Sequence, residues 1–243
     1  MSEATTLSKA PLLDFTKSWK AGNLGFPASE IAAAKLTLEN TPFPTTRDEH
    51  WKYTRVTKVS KTEFQQGEVA DINFEEKQVL SINNRLVFVN GVFSQELSAV
   101  IPQDGVEFGP ISAYGTEASF EGNLKNEGEI FHSMNTLFAQ DGFYLNIAKG
   151  TQVEHDFEIL FVQNGEKQSG QVRNQIIAGP SSEANVVMSF QSEDAQDCFS
   201  NVVTEIEVGQ NAHFHIDKLQ VENDSSKTET ATSPSIPLRF QVC

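Results

Sequence analysis

Two imidazoles in His213-Phe214-His215 are the side chains of this chain best spaced for metal chemistry, because alternate residues of a strand fall on one face. Two donors are half of a tetrahedral set, and the sequence offers no identifiable third ligand, so solvated or hydrogen-bonded histidines are the simpler reading of His213 and His215. The other histidines are His50, His132 and His155. His50 lies inside an aromatic run, where packing is expected rather than titration. Cys198 follows Asp194-Ala195-Gln196-Asp197, and acidic neighbours oppose the thiolate that a nucleophile or ligand needs. Cys243 is the last residue. Two cysteines are too few for a disulfide framework or a zinc knuckle. The glycine-rich phosphate and dinucleotide loops, the His-Glu-x-x-His zincin motif and the Gly-x-Ser-x-Gly elbow are all missing, and Asp104-Gly105 and Asp141-Gly142 read as turns. No catalytic residue is assigned, and the protein is not expected to be an enzyme.

The elements that would carry such residues are those of an ordinary globular chain. Of 243 residues, 38% are hydrophobic and 21% charged, enough for one sizeable core. The net charge of -15, from 33 acids against 18 bases, repels a phosphate backbone, so nucleic acid is not an expected partner. No apolar run approaches the roughly 20 residues that span a bilayer, and the start lacks the pattern of a secretory signal. No membrane contact is expected, and a cytoplasmic location is.

The first forty residues read as helical. Ser29 is placed to cap a helix whose Ile31, Ala34, Lys35 and Leu38 share one face and which should end before Pro42. Residues 57–82 are mixed and polar, a connecting region with one short strand. From about Arg85, short apolar runs alternate with Gly, Asn, Asp and Ser, the punctuation of strands and turns. Leu86 to Val89 predicts a strand, Asn90-Gly91 a tight hairpin turn, and Val106 to Pro110 a continuation of the sheet. Between Leu124 and Ala139, the positions Ile130, Met134, Leu137 and Phe138 predict one helical face, stopped by Asp141-Gly142. Further strands are predicted at 143–148, 153–163, 170–178, 184–191, 202–208 and 212–222. Gly150, Gly179 and Gly209 recur at spacings of 29 and 30, which fits either the turns of a β-solenoid or a β-sandwich.

The stretch Pro42-Phe43-Pro44-Thr45-Thr46-Arg47-Asp48-Glu49-His50-Trp51-Lys52-Tyr53-Thr54 has no catalytic grammar. Its prolines predict an extended lead from Thr41 to Thr46. In an extended segment Trp51 and Tyr53 would point to the same side, and both are expected to be mostly buried, pinning the N-terminal region onto the strands. The run, with Arg47, Glu49, Trp51, Tyr53 and Thr54 as its motif residues, resembles the N-terminal hallmark of the SufB/SufD family, and of its SufD branch, subunits of the Suf iron–sulfur cluster assembly scaffold. Leu86-Val87-Phe88-Val89-Asn90-Gly91-Val92-Phe93 with Leu97-Ser98, the block Phe131-His132-Ser133-Met134-Asn135-Thr136-Leu137-Phe138-Ala139-Gln140-Asp141-Gly142, and Arg173-Asn174-Gln175-Ile176-Ile177 are similar to three further family segments, in the same order.

The resemblance implies a mainly β chain with a right-handed parallel β-helix core: a helical and connecting region at 1–82, an incomplete β-helix at 83–232 and an atypical tail at 233–243. It implies a non-catalytic scaffold subunit that works through SufB-like and SufC-like partners. No cofactor is expected on this chain itself, the iron–sulfur cluster being handled by the family's full complex. Asp156 stands where the family's Val-Glu-x-Pro strand entry has proline, and the chain stops near the middle of the family's length, so the family's histidine for a nascent cluster and its docking segment for the ATPase have no counterpart here. That ending is expected to reflect a truncated or frameshifted product, and the strands at 212–222 to offer an edge through which a homodimer forms. A carbohydrate-active β-helix enzyme and a metal-binding all-β module around His213 and His215 are the alternatives from other classes.

Overall fold

Apolar residues at every second position build the body of the protein. Phe143, Leu145 and Ile147, then Phe157, Ile159 and Phe161, then Val172 and Ile176, then Ala184, Val186, Met188 and Phe190, then Val202 and Ile206 fall into a single buried cluster. A period of two places each set on one face of a strand, so these strands must face one another across a shared core. The computed structural model describes residues 16–22, 24–72, 82–115, 120 and 129–222, together with the backbone of 227–234.

The described strands are β1 (Gln65–Gln66), β2 (Arg85–Val89), β3 (Val92–Phe93), β4 (Val106–Pro110), β5 (Phe143–Ile147), β6 (Phe157–Glu166), β7 (Gln168–Ala178), β8 (Glu183–Gln196), β9 (Phe199–Val208), β10 (His213–Val221) and β11 (Lys227–Pro234). The helices are α1 (Ala28–Asn40), α2 (Thr57–Lys61) and α3 (Ile130–Phe138). One sheet runs β4, β5, β7, β9, β11, with β1 also on β7; the other runs β3, β2, β6, β8, β10. The chain is therefore mainly β, as expected.

From β5 to β11 successive strands alternate between the two sheets, and within each sheet strands about thirty residues apart pair in parallel. Ile176 lies opposite Ile206, Val186 opposite Ile216 and Phe161 opposite Phe190, steps of 30, 30 and 29 residues. This pairing is not that of a sandwich of hairpin-linked antiparallel strands. The corners repeat at the same step. Lys167 and Asp197 adopt φ of 52° and 53°, and Ser181 and Asn211 each adopt 57°, left-handed conformations rare for residues with a Cβ. At the other recurring corner, a Cβ on Gly179 would sit 2.5 Å from the Ile147 carbonyl oxygen, so only glycine lets the turns stack so closely. Phe88, Phe161 and Phe190 stack along the core with centroids 5.5 and 4.9 Å apart.

Several expectations hold in detail. Asn90 and Gly91 both have positive φ and close the β2–β3 hairpin, with Val89 opposite Val92. β4 joins the sheet antiparallel to β5. α1 ends at Thr41, extended before Pro42.

Others are corrected. Residues 16–22 and 24–27 contain turns and no helix, and residues 1–15 lie outside the described residues. α1 begins one residue after Pro27, whose carbonyl accepts from the N–H groups of Glu30 and Ile31, so Ser29 sits exposed inside the first turn and caps nothing. A capping hydroxyl acts from the residue before the helix, and that position is held by Pro27, whose ring presets the entry φ but offers no side-chain acceptor. The polar stretch 57–82 holds α2 as well as the short β1, and 73–81 lie outside the described residues. β11 was not foreseen. Neither was the exit of α3 through an extended Ala139 instead of a left-handed glycine; Asp141 has already joined the sheet, bridging Val172.

Truncating the middle ring of the phenylalanine stack, Phe161→Ala, should cost about 3–5 kcal/mol in urea unfolding, as for other buried aromatics. An unchanged midpoint would show that the stack can collapse around the gap.

Candidate functional site

α3 is buried on every side. The face predicted to be apolar, Ile130, Met134, Leu137 and Phe138, packs with Ala34 and Leu38 of α1 and with Trp19, Val56, Val59 and Phe64. Its other residues, His132, Ser133, Asn135 and Thr136, are equally buried, and α3 lies on β7 and β9. Polar groups in such a layer need protein partners.

Several find them by exchange, while Asn135 Oδ1 and Thr136 Oγ1 are buried without a hydrogen-bond partner among the described residues. The Asn135 amide donates to the carbonyls of Val172 (2.8 Å) and Asn201 (3.0 Å), and the Asn201 amide donates back to the carbonyl of Phe131 (2.7 Å) and to Gln171 Oε1 (2.8 Å). One turn away, Arg173 of β7 is 1% exposed and directs Nε and Nη2 at Glu205 Oε1 of β9, the first at 2.9 Å. Its Nη1 donates to His132 Nε2 at 3.2 Å, which requires neutral imidazole protonated on Nδ1. The guanidinium carbon lies 5.0 Å from the Phe26 ring centre and 5.3 Å from that of Phe120, and these rings stack on each other at 4.7 Å. Burial, then the charge of Arg173, pushes the His132 pKa down to about 3. Burial also pulls Arg173 down from its usual value while Glu205 opposes the fall, and burial raises Glu30 of α1 while Arg173 opposes that rise.

The next residues tie the same helix to the β2–β3 hairpin. Asp141 accepts from the N–H groups of Gly142 (2.8 Å) and Phe93 (3.2 Å), and burial raises its pKa. Gly142 lies so close to the strand that a Cβ would fall 1.7 Å from the Arg173 carbonyl oxygen. Asn174 receives the Phe143 N–H and donates to Thr204 Oγ1 at 3.1 Å. These groups spend their hydrogen bonds on one another and on backbone. The arrangement joins the helical layer to the strands.

The residues singled out from sequence are dispersed. His213 and His215 share one exposed face of β10, and among the described residues no group of three potential metal ligands gathers anywhere. Cys198 is buried, its thiol donates towards the Gly165 carbonyl at 3.2 Å, and burial before any charge raises its pKa. Asp156 accepts from the Asn185 amide at 2.9 Å.

The aromatic run is the main correction. The Asp48 carboxylate accepts from the N–H (2.6 Å) and hydroxyl (3.1 Å) of Thr45, hydrogen bonds that lower its pKa, and a single 3-10 turn follows over Glu49–Trp51. Coiling replaces the two-residue period with three, so Trp51 and Tyr53 diverge. Trp51 is half-buried, 5.3 Å from the Phe131 ring, whereas Tyr53 is 90% exposed. Arg47, Glu49 and His50 are exposed, and Thr54 is half-buried with its N–H on the Trp51 carbonyl. No helix among the described residues is long and apolar enough to cross a membrane.

Residues 29–159 match the family model described as the SufBD protein N-terminal region, and 161–233 match the SufBD core domain of the SUF system for FeS cluster assembly. The chain belongs to the SufBD family. It is 26% identical over 212 residues to an iron–sulfur cluster assembly SufBD family protein of Synechocystis, covering 77% of this chain and 46% of that protein. It is 24% identical over 210 residues to the chloroplastic protein ABCI7 of Arabidopsis thaliana, covering 78% and 43%, and 24% identical over 196 residues to the iron–sulfur cluster assembly protein SufD of Escherichia coli, covering 78% and 45%. The chain thus spans less than half the length of these relatives. Within this SufBD chain, Phe131, Asn135, Phe138, Asp141, Gly142, Arg173 and Asn174, the residues that carried the likeness in sequence, are those that seat α3 on the sheet. His132, Asn201 and Glu205 were missed. The available signal was Glu205 at one repeat plus two residues beyond Arg173, an acid one repeat along from a base.

Glu205→Leu leaves a guanidinium buried without its carboxylate, and the expected cost is about 3–5 kcal/mol. Adding Arg173→Met should recover most of it in a double-mutant cycle; additive losses would show that the two side chains act separately. His132 makes a second expectation. Its folded pKa, about 3, lies below the unfolded value near 6.5, so its contribution is complete above pH 6.5 and is lost progressively as pH falls towards 3. Wild type should lose up to about 1.4 kcal/mol per pH unit more than His132→Gln across that window, and parallel stability curves would refute this.

Proposed function

We propose that this chain is a SufD-like, non-catalytic scaffold subunit of an iron–sulfur cluster assembly complex, acting through contacts with SufB-like and SufC-like subunits. The observation that carries the reading is the parallel register of strands one repeat apart, with Phe161 opposite Phe190 and Ile176 opposite Ile206. Strands that alternate between sheets at this step support the reading of a right-handed parallel β-helix core. A strand whose outer edge is unpaired presents backbone groups that a partner strand can take up. β10 pairs only with β8 among the described residues, and its His213, His215, Asp217 and Gln220 are exposed. The named relatives support the assembly role: two of them carry iron–sulfur cluster assembly in their names.

In this reading the cluster is cargo of the whole complex, this chain binds no cofactor of its own, and it works in the cytoplasm away from nucleic acid and membrane. The net charge of -15 keeps phosphate backbones at a distance. A homodimer through β10 is the resting form, exchanged for a SufB-like partner. Sedimentation equilibrium at micromolar concentration and 0.15 M salt, on the chain alone and mixed with the SufB-like subunit of its own organism, tests this. A dimer mass alone and a mixed species in combination are expected, on colourless protein. A chain that stays monomeric in both, or one that purifies with stoichiometric iron and sulfide, would overturn the reading.

A further inference from the structure

Trp51 anchors this turn on α3, but Tyr53, expected to be buried with it, faces solvent, and the composition of the segment is unlike that of the rest of the chain. Residues 47–61 contain five bases, Arg47, Lys52, Arg55, Lys58 and Lys61, against two acids, Asp48 and Glu49. The segment is thus +3 in a chain of -15, which leaves -18 on everything else. Lys58 pairs with Asp197, but no carboxylate among the described residues pairs with Arg47, Lys52, Arg55 or Lys61, and all four are exposed. Tyr53 stands 90% exposed in their midst with the Lys52 ammonium 5.4 Å from its ring centre.

This display is held in shape. The Asp48 carboxylate clamps Thr45, the N–H groups of Asp48, Trp51 and Thr54 each bond three residues back, and Trp51 fastens the turn to Phe131 of α3. The backbone is ordered from within, while Tyr53 and Arg47, Lys52, Arg55 and Lys61 stay exposed, with no carboxylate paired to these four cations among the described residues. A preformed turn that holds an aromatic ring among unpaired cations has already met the ordering cost that weakens most surface contacts. Tyr and Arg are also the side chains that dominate protein interfaces.

We propose that the 47–61 turn is a docking surface for an acidic protein segment, with Tyr53 received by an apolar side chain of the partner and Arg47, Lys52 and Arg55 by its carboxylates. Charge complementarity selects the partner class. The inference goes beyond the scaffold reading and does not rest on it, since it uses only the charge, exposure and geometry of this turn.

The test uses the purified chain and two fluorescent sixteen-residue probes, a peptide of glutamates with leucine at every fourth position and a single-stranded oligothymidylate. The peptide is expected to bind at 50 mM salt and to weaken steeply by 200 mM. The triple variant Arg47→Glu, Lys52→Glu, Arg55→Glu should weaken it at least tenfold, and Tyr53→Ala several-fold, with circular dichroism and thermal midpoint unchanged because these side chains are exposed. Restoring the cations alone in Arg47→Lys, Arg55→Lys should keep most of the affinity. Equal binding by wild type and the triple variant, absence of peptide binding, or tighter binding of the oligonucleotide through the same residues would each overturn the proposal.

Discussion

A buried guanidinium has to be paired, and in this chain that requirement fixes how the helical layer meets the strands. Arg173 sits at 1% exposure where α3, α1 and the β7–β9 face converge, and its partners come from each: Glu205 on β9, His132 on α3, and Phe26 just ahead of α1. Moving any of these elements would leave a charge in apolar surroundings, which costs more than most packing errors. The exchange between Asn135 and Asn201 adds a second tie one turn along α3, each amide donating to a backbone carbonyl of the other element. The resulting interface is specific in direction as well as in place.

The strands supply the other half of this constraint. A repeat near thirty residues lets each strand inherit the register of the one beneath it, and the corners, left-handed at Lys167, Asp197, Ser181 and Asn211, recur at that same step. Because each corner spends only a few residues, errors cannot be absorbed there. The aromatic column of Phe88, Phe161 and Phe190 then follows from register alone, since equivalent residues of stacked strands must meet.

Much of the sheet was legible from period-two alternation: β2 to β10 lie where apolar runs and turn residues place them, and Asn90-Gly91 makes the turn its types require. The repeat was legible from Gly150, Gly179 and Gly209, although spacing by itself does not distinguish parallel from antiparallel pairing. Failures have three different physical causes. α3 reads as one apolar face, yet its opposite face is buried too, because Arg173 and Asn201, distant in sequence, satisfy His132 and the Phe131 carbonyl. Tyr53 reads as an anchor only if the chain is extended, and the hydrogen bonds of Asp48 to Thr45 coil it instead. β11 carries Thr, Glu and Ser where other strands carry apolar residues, so alternation gave no sign of it.

An apolar pair at positions 173 and 205 would pack against α3 with less desolvation cost, and replacing buried ion pairs by hydrophobic side chains is often neutral or stabilising. What an apolar pair would not provide is an unequal response to a shift of register. Val203 and Glu205 lie on one face of β9, and Val202, Thr204 and Ile206 on the other. Sliding β9 by one residue against β7 would turn Glu205 into the inter-sheet core and leave Arg173 facing no carboxylate, while Thr204 would lose Asn174. A sliding error that exchanges one valine for another is penalised weakly; one that strands two charges is penalised by several kcal/mol. In a stack whose repeats resemble one another, competing registers are the nearest alternatives to the native pairing, and the Arg173–Glu205 pair, placed off the repeat at 32 residues rather than 30, marks one register as correct between β7 and β9, while a second buried pair, Arg85 with Glu158, ties β2 to β6.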